Sequence, residues 1–162
     1  MISLRIIQHL LFLSKRSDWN KLPNPAFMSK PTILHATIGR DTYKTTLQTD
    51  DHQLIGDEPP SSGGTNLGPD PYEFILAGLA TCTAATVRMY ADRKAWDLEK
   101  IDLSLSLQVE KLSGTQITHI QREIQFYGNL DAAQTQRLLE IADKCPVHRL
   151  LTHEVKIITT LL

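Results

Sequence analysis

The fold is decided by residues 70–94, which read DPYEFILAGLATCTAATVRMYADRK. Asp70 is a good N-cap and Pro71 suits a first helical turn, so this stretch predicts a long helix over residues 71–94. Apolar side chains in its middle part do not keep to one face, and a helix that is apolar all round is buried on all sides. Because a chain of 162 residues can hardly enclose one helix, we expect it to pack against its copy in a second subunit.

Short runs on both sides of this helix predict strands. Thr32–Ile38 and Tyr43–Thr49 are rich in β-branched residues and are separated by Gly39–Asp41, which predicts a hairpin. After the helix, apolar and polar residues alternate strictly from 101 to 110, and period two continues over Ile117–Tyr127. These two segments therefore predict an antiparallel pair of half-buried strands.

The C-terminal third predicts a second helix and a last strand. Asp131 is placed to cap a helix over Ala132–Lys144, which Pro146 ends, and His153–Leu161 has the alternation of a strand. The order strands, helix, strands, helix, strand predicts an α+β fold in which antiparallel sheets cover central helices.

The charge balance excludes one class of partner. Lys and Arg number 17 and Asp and Glu 18, so the net charge is −1 and no basic face is implied. We therefore expect no nucleic acid partner.

Residues 1–27 are predicted to be an extension outside the fold, and residues 28–162 a single domain. Met1–Leu13 is a short apolar stretch broken by Gln8 and His9, without a small-residue cleavage site after it, which argues against a signal peptide. It is also too short to span a membrane, and polar residues interrupt the long helix. We expect a cytoplasmic protein without membrane association; a targeting role for the extension is the alternative.

Two cysteines, Cys82 and Cys145, lie on core-facing positions of the two predicted helices, 63 residues apart. Free cysteine packs as a small apolar side chain, so burial without chemistry is the simplest interpretation. A metal site is not indicated, because neither residue has a second cysteine nearby. A redox pair is the alternative, since the two helices must pack together and threonines flank Cys82. Arg40 would supply the permanent cation that favours a thiolate.

Several motifs, in this order and spacing, resemble the OsmC/Ohr family, and the resemblance covers about Ile33 to Leu161. The chain is most similar to the less characterised branch of that family. The motifs are Gly68-Pro69-Asp70-Pro71-Tyr72-Glu73-Phe74-Ile75-Leu76-Ala77, Cys82-Thr83-Ala84, Arg88-Met89-Tyr90-Ala91 with Arg93-Lys94, Cys145-Pro146-Val147-His148, Asp57-Glu58-Pro59 with Gly63-Gly64, and Gly39-Arg40-Asp41.

The resemblance implies an intertwined homodimer in which antiparallel sheets wrap around long central helices, with active sites at the subunit interface. It implies a thiol-dependent peroxidase that reduces organic hydroperoxides, and hydrogen peroxide less well, without cofactor or metal. By position, Cys82 resembles the attacking cysteine and Cys145 the resolving one. Arg40 resembles the group that stabilises the thiolate and orients the peroxide. An external dithiol would reduce the resulting disulfide.

One departure from the family pattern concerns its glutamate, which lies ten residues before the attacking cysteine. Tyr72 occupies that position here, and Glu73 follows it. Nine residues of straight helix advance about 13.5 Å and place Glu73 on the face opposite Cys82, so Glu73 would serve the other subunit's site. The alternative is that Glu73 only favours the helix dipole in the first turn. The expected substrate pocket residues are Tyr72, Leu76, Leu79, Met89 and His148.

Two other function classes are compatible with the sequence. The same fold could serve as a non-catalytic module that binds a small ligand in the apolar interface pocket or senses redox state. The second is a Cys–His hydrolase with Cys82 as the nucleophile, although no histidine lies near Cys82 in the sequence.

Overall fold

The computed structural model describes residues 31–161. The chain divides into two units between Ile33 and Leu34. The predicted extension, residues 1–27, lies outside the described residues. The elements of the second unit, in chain order, are β1 (His35–Ile38), β2 (Thr45–Gln48), β3 (Gln53–Gly56), a 3-10 helix (Pro60–Ser62), α1 (Pro71–Arg93), β4 (Asp97–Leu112), β5 (Thr115–Asn129), α2 (Ala132–Ala142) and α3 (Pro146–Thr152).

The first three strands form a small antiparallel sheet in the order β1-β2-β3. The predicted hairpin is confirmed: Ile38 pairs with Thr45 at the turn, and His35 pairs with Gln48 at the open end. The third strand was not predicted, because Gln53–Gly56 has only four residues, too few to establish a period of two.

β4 and β5 form a long antiparallel hairpin that confirms the predicted strand pair and extends beyond it at both ends. The register runs from Asp97 opposite Asn129 to Leu112 opposite Thr115. Ser113 and Gly114 make the two-residue turn with φ of 45° and 88°. Positive φ at both positions matches the right-handed twist of the flanking strands, which is why glycine suits the second of them.

α1 begins where the sequence predicts and ends one residue earlier. The Asp70 carboxylate accepts a hydrogen bond from the Glu73 backbone N–H, and the Glu73 carboxylate accepts one from the Asp70 N–H, both at 2.8 Å. These reciprocal bonds satisfy two amide groups that a helix start leaves without partners.

Only one stripe of α1 is buried within this chain. Its buried residues recur every four positions, and they are Leu79, Thr83, Val87 and Ala91. Other apolar side chains of the helix stay accessible, with Ile75 40% exposed and Met89 65% exposed. The expected burial on all sides is therefore not reached in one chain. Among residues 31–161, α1 alone is long and apolar enough to cross a membrane, by length and composition only.

The core lies where α1, the β4–β5 hairpin and α2 meet. α2 ends at Ala142, two residues earlier than predicted, and Asp131 caps it as expected. The predicted α+β class, with antiparallel sheets and a long helix, is confirmed. The buried cluster comprises Val87, Ala91, Leu98, Leu138, Ile141 and Ala142.

The loop before α1 is fastened by Asp57, which is buried. Its carboxylate accepts hydrogen bonds from the Thr65 hydroxyl at 2.6 Å and from the backbone N–H groups of Glu58, Thr65 and Leu67 at 2.8–3.1 Å. These bonds, with that from Thr65 the strongest, lower the pKa of Asp57 to about 2. The carboxylate therefore stays ionised at neutral pH and holds residues 57–67 together.

The C-terminal prediction is wrong at two points. Pro146 does not only end the preceding helix, since it also begins α3. Residues 153–161 form no strand, and Ile157, Ile158 and Leu161 are 87%, 86% and 98% exposed. An alternating pattern yields a strand only where a neighbouring strand accepts and donates the backbone hydrogen bonds, and the described part of this chain places none beside this segment.

Candidate active site

The two cysteines, remote in the sequence, meet where α1 contacts α3. Cys82 lies in the middle of α1 and is half-buried, whereas Cys145 directly precedes α3 and has no exposed surface. Both thiols are free, and they lie close enough for each to shift the pKa of the other. The juxtaposition that the redox interpretation requires is therefore present within one chain.

The surroundings of Cys82 favour its neutral form. Burial is the largest cause that raises the pKa of the Cys82 thiol, and its contact with Cys145 adds to the increase. The backbone N–H of Val147 and the hydroxyl of Thr86 act in the opposite direction but do not prevail. Within one chain, Cys82 therefore favours its neutral thiol form.

Cys145 has the opposite balance. Burial opposes its ionisation, but hydrogen bonds from Cys82, from the backbone N–H groups of His148 and Val147 and from the Thr83 hydroxyl together lower the pKa of the Cys145 thiol. Of the two, Cys145 is therefore the sulfur that more readily carries negative charge.

A cation that the sequence analysis missed lies beside this pair. Arg122, on β5, donates from Nη1 to the Thr83 hydroxyl oxygen at 3.0 Å and to the Ala142 carbonyl at 3.4 Å. Its Nη2 donates to an Asp143 carboxylate oxygen at 2.7 Å. The sequence did contain a signal for it. Position 122 belongs to the same period-two series as Ile120 and Ile124, and a charged side chain on that inward face requires a hydrogen-bonding partner.

A cavity of about 380 Å³ has Arg122 in its wall. Leu79 precedes Cys82 by three residues and His148 follows Cys145 by three, so this cavity adjoins the thiol pair. Its walls combine apolar, cationic and imidazole groups. The lining residues are Leu79, Thr118, His119, Ile120, Arg122, His148, Leu151 and Thr152.

The remaining predicted site residues lie elsewhere on the chain. Arg40 is exposed in the β1–β2 turn, and within residues 31–161 of one chain it makes no ion pair or hydrogen bond with either cysteine. Glu73 is engaged in the N-terminal cap of α1. Tyr72 is 52% exposed, and Leu76 is half-buried. The roles of these residues, and of the exposed Met89, stay predictions.

No metal centre is formed by the described side chains: residues 31–161 contain no group of three or more His, Cys, Asp or Glu side chains that could hold a metal ion.

Comparison with known proteins places this site in a family. Residues 63–160, more than half of the chain, match the family model described as OsmC-like protein. No functionally curated protein matches the chain.

Solved structures share the fold. An OsmC-like protein from Mycoplasma pneumoniae has a TM-score of 0.67 and 21% identity, covering 76% of this chain and 89% of that chain. An organic hydroperoxide resistance protein OsmC from Legionella pneumophila has a TM-score of 0.61 and 20% identity, covering 76% and 90%. An organic hydroperoxide resistance protein from Elizabethkingia anophelis has a TM-score of 0.61 and 16% identity, covering 78% and 91%. At these identities the similarity shows the fold alone.

Proposed function

The chain belongs to the OsmC-like family, and on this premise we propose that it is a cytoplasmic two-cysteine peroxidase that reduces organic hydroperoxides. The observation that carries the proposal is the proximity of the thiols of Cys82 and Cys145, which is close enough for each to shift the pKa of the other. Proteins of the same fold from Legionella pneumophila and Elizabethkingia anophelis are named organic hydroperoxide resistance proteins, which supports it.

The bonds that form and break in the reaction involve only these two sulfurs, a peroxide and a dithiol. The Cys82 thiolate attacks one peroxide oxygen, the O–O bond breaks, and the alcohol leaves with a proton while Cys82 becomes a sulfenic acid. The Cys145 sulfur then attacks the Cys82 sulfur, an S–S bond forms, and the hydroxyl leaves as water after protonation. An external dithiol returns both cysteines to thiols and is itself oxidised to a disulfide.

The first step requires a cation, and residues 31–161 of one chain bring none into hydrogen-bonding contact with Cys82. Burial raises the pKa of the Cys82 thiol, and Arg122 is engaged on the other side of the pair, with Thr83 and Asp143. We infer that Arg40 of a second copy supplies this charge, because Arg40 lies exposed on the β1–β2 turn. A guanidinium is permanently charged and donates in a fixed fork, so it would favour the thiolate and orient the peroxide.

Exposed apolar surface supports the homodimer that this inference requires. Ile38 in the small sheet is 55% exposed, and Ile157 and Ile158 in the C-terminal segment are 87% and 86% exposed. The C-terminal segment also keeps the alternating pattern of a strand, and residues 31–161 of its own chain provide no partner strand for it. A second copy that supplies a sheet edge would satisfy its backbone hydrogen bonds and cover the accessible faces of α1.

The proposed activity is tested with the purified full chain and an excess of a small dithiol. We expect turnover of cumene hydroperoxide and tert-butyl hydroperoxide, and slower turnover of hydrogen peroxide, because the cavity beside the thiols has an apolar wall. A folded protein that consumes none of these peroxides would contradict the proposal and favour the ligand-binding or redox-sensing module.

The role of Arg40 across the dimer is tested by mixing two inactive variants. Arg40→Ala and Cys82→Ser homodimers are each expected to lose turnover. In a mixed dimer, purified through different tags on the two chains, the Cys82 of one chain faces the Arg40 of the other. We expect this dimer to regain one working site and hence half of the wild-type rate.

Two outcomes would contradict this role of Arg40. If the mixed dimer forms and stays as inactive as its parents, Arg40 does not act on the partner's Cys82. If the Arg40→Ala homodimer keeps the wild-type rate, Arg40 does not belong to the site.

A further inference from the structure

Arg122 is a buried cation on an otherwise apolar face, and its side chain is 13% exposed. A buried charge is retained only where its hydrogen-bonding groups are satisfied, and Arg122 has three acceptors, on α1 and at the end of α2. One of them, Thr83, directly follows Cys82 and is itself completely buried.

The chemistry of the two side chains fixes the direction of the Thr83 hydrogen bonds. A guanidinium has donors and no acceptor, so the Thr83 oxygen must accept from Arg122 at 3.0 Å. Its own proton is then free for another acceptor. We infer that this acceptor is the sulfur of Cys145, because both side chains are completely buried and the Thr83 hydroxyl helps to lower the pKa of the Cys145 thiol.

Other threonines in α1 behave differently. Thr81 and Thr86 donate their hydroxyl protons back to the carbonyls of Ala77 and Cys82, each at 2.8 Å. This internal bond is the usual choice of a threonine within a helix. Thr83 instead accepts from Arg122, which holds its hydroxyl oxygen in place.

Arg122 also fixes the backbone that leads into Cys145. Its bonds to the Ala142 carbonyl at 3.4 Å and to the Asp143 carboxylate at 2.7 Å attach β5 to the last turn of α2, two to three residues before the cysteine. The same side chain therefore orients both the hydroxyl that contacts the sulfur and the segment that carries it.

We propose that Arg122 is a positioning residue for Cys145, acting through Thr83. By turning the hydroxyl proton toward the sulfur, it favours Cys145 as the thiolate that attacks oxidised Cys82. It also makes Cys145 the leaving sulfur when the disulfide is reduced. This inference rests on the proposed function, since both steps belong to the two-cysteine cycle.

The reduction step then has a defined direction. A thiolate of the external dithiol attacks the sulfur of Cys82, the S–S bond breaks, and its electron pair leaves on Cys145. A mixed disulfide remains on Cys82, and the second thiol of the reductant, as its thiolate, releases Cys82 and is oxidised with the first. Access supports the same direction, because Cys82 is half-buried while Cys145 has no exposed surface.

The test measures Cys145 by itself, in a Cys82→Ser background, by following thiolate absorbance in the ultraviolet as the pH rises. Thr83→Val keeps the shape of the side chain and removes its hydroxyl, and it should make the thiolate harder to form by about tenfold or more, the cost of one hydrogen bond to a charged group. Arg122→Met should act in the same direction, and Thr83→Ser should restore the titration of the parent.

Arg88→Lys is the matched control. Arg88 also donates from its guanidinium to backbone carbonyls, including that of Glu99 at 2.9 Å, but it has no hydrogen bond with Thr83 or Cys145. Its replacement should leave the Cys145 titration unchanged. If Thr83→Val titrates like the parent, in a protein whose unfolding is unaltered, the inference is overturned, whatever Arg122→Met does.

The direction of reduction is tested on protein oxidised with diamide, which forms the disulfide without a peroxide. Brief treatment with a monothiol should leave its adduct on Cys82, and an adduct found mainly on Cys145 would overturn the inference. Neither measurement uses peroxide turnover. A protein without peroxidase activity that still shows both effects would refute the proposed function alone, and an active protein that shows neither would refute only the role of Arg122.

Discussion

Cys82→Ser is expected to reduce the turnover of organic hydroperoxides by about 10³-fold or more, because a hydroxyl cannot replace a thiolate as the nucleophile. Serine has nearly the same shape, and Cys82 is only half-buried, so the fold should persist. The measurement is the consumption of cumene hydroperoxide by the purified variant in excess dithiol.

The control for this variant lies one residue away. Thr81 is exposed on α1 and uses its hydroxyl only on the carbonyls of Ala77 and Gly78, so Thr81→Ser should keep the wild-type rate. If turnover survives in Cys82→Ser but disappears in a Cys145→Ser variant, Cys145 is the cysteine that attacks the peroxide and Cys82 is the resolving one.

Cys145→Ser is expected to consume about one equivalent of peroxide and then stall, since Cys82 reaches the sulfenic acid and has no second thiol to condense with. Intact mass should show one added oxygen, and two or three when peroxide is in excess. Dimedone should trap the first of these species, and Cys145→Ser should form no intramolecular disulfide.

A specific result would contradict the resolving role. If Cys145→Ser turns over at the wild-type rate with a small thiol, without a stalled or over-oxidised species, Cys145 does not resolve the sulfenic acid. Wild-type protein treated with one equivalent of peroxide is the matched comparison, and it should lose two free thiols for each peroxide consumed.

The elements that local patterns specify could be predicted from the sequence. Asp70 and Asp131 each begin a helix through a reciprocal cap, and these signals depend on residues within four positions of one another. The β4–β5 hairpin follows from a strict alternation that its register confirms. Such features need no knowledge of the rest of the chain.

The features that the sequence does not predict depend on contacts between distant segments, or on a residue that can serve two structural roles. Pro146 was interpreted as the end of a helix, but the same fixed φ suits the first turn of the next one. The segment after α3 has the pattern of a strand and no partner strand beside it in the described part of the chain. A pattern alone does not say whether the partner comes from the same chain.

The candidate site also contains one part that the sequence indicates and one part that only the structure shows. The resemblance indicated the two cysteines, and their thiols do lie close together, although Cys145 stands at the start of α3 and not on the preceding helix as expected. Arg122 was missed because its importance depends on Thr83, 39 residues earlier, and on Asp143, 21 residues later. Only the packed structure shows that one guanidinium spans both.

The meeting of α1 and α3 at the two sulfurs also links chemistry to resistance against unfolding. A covalent bond there joins positions 63 residues apart and so cross-links much of the chain. By restricting the unfolded state, such a closed loop stabilises the folded protein by about 4 kcal/mol. The disulfide form is therefore more resistant to heat and proteases than the reduced form. Each cycle of the proposed reaction alternates between these two forms, and so between a higher and a lower stability.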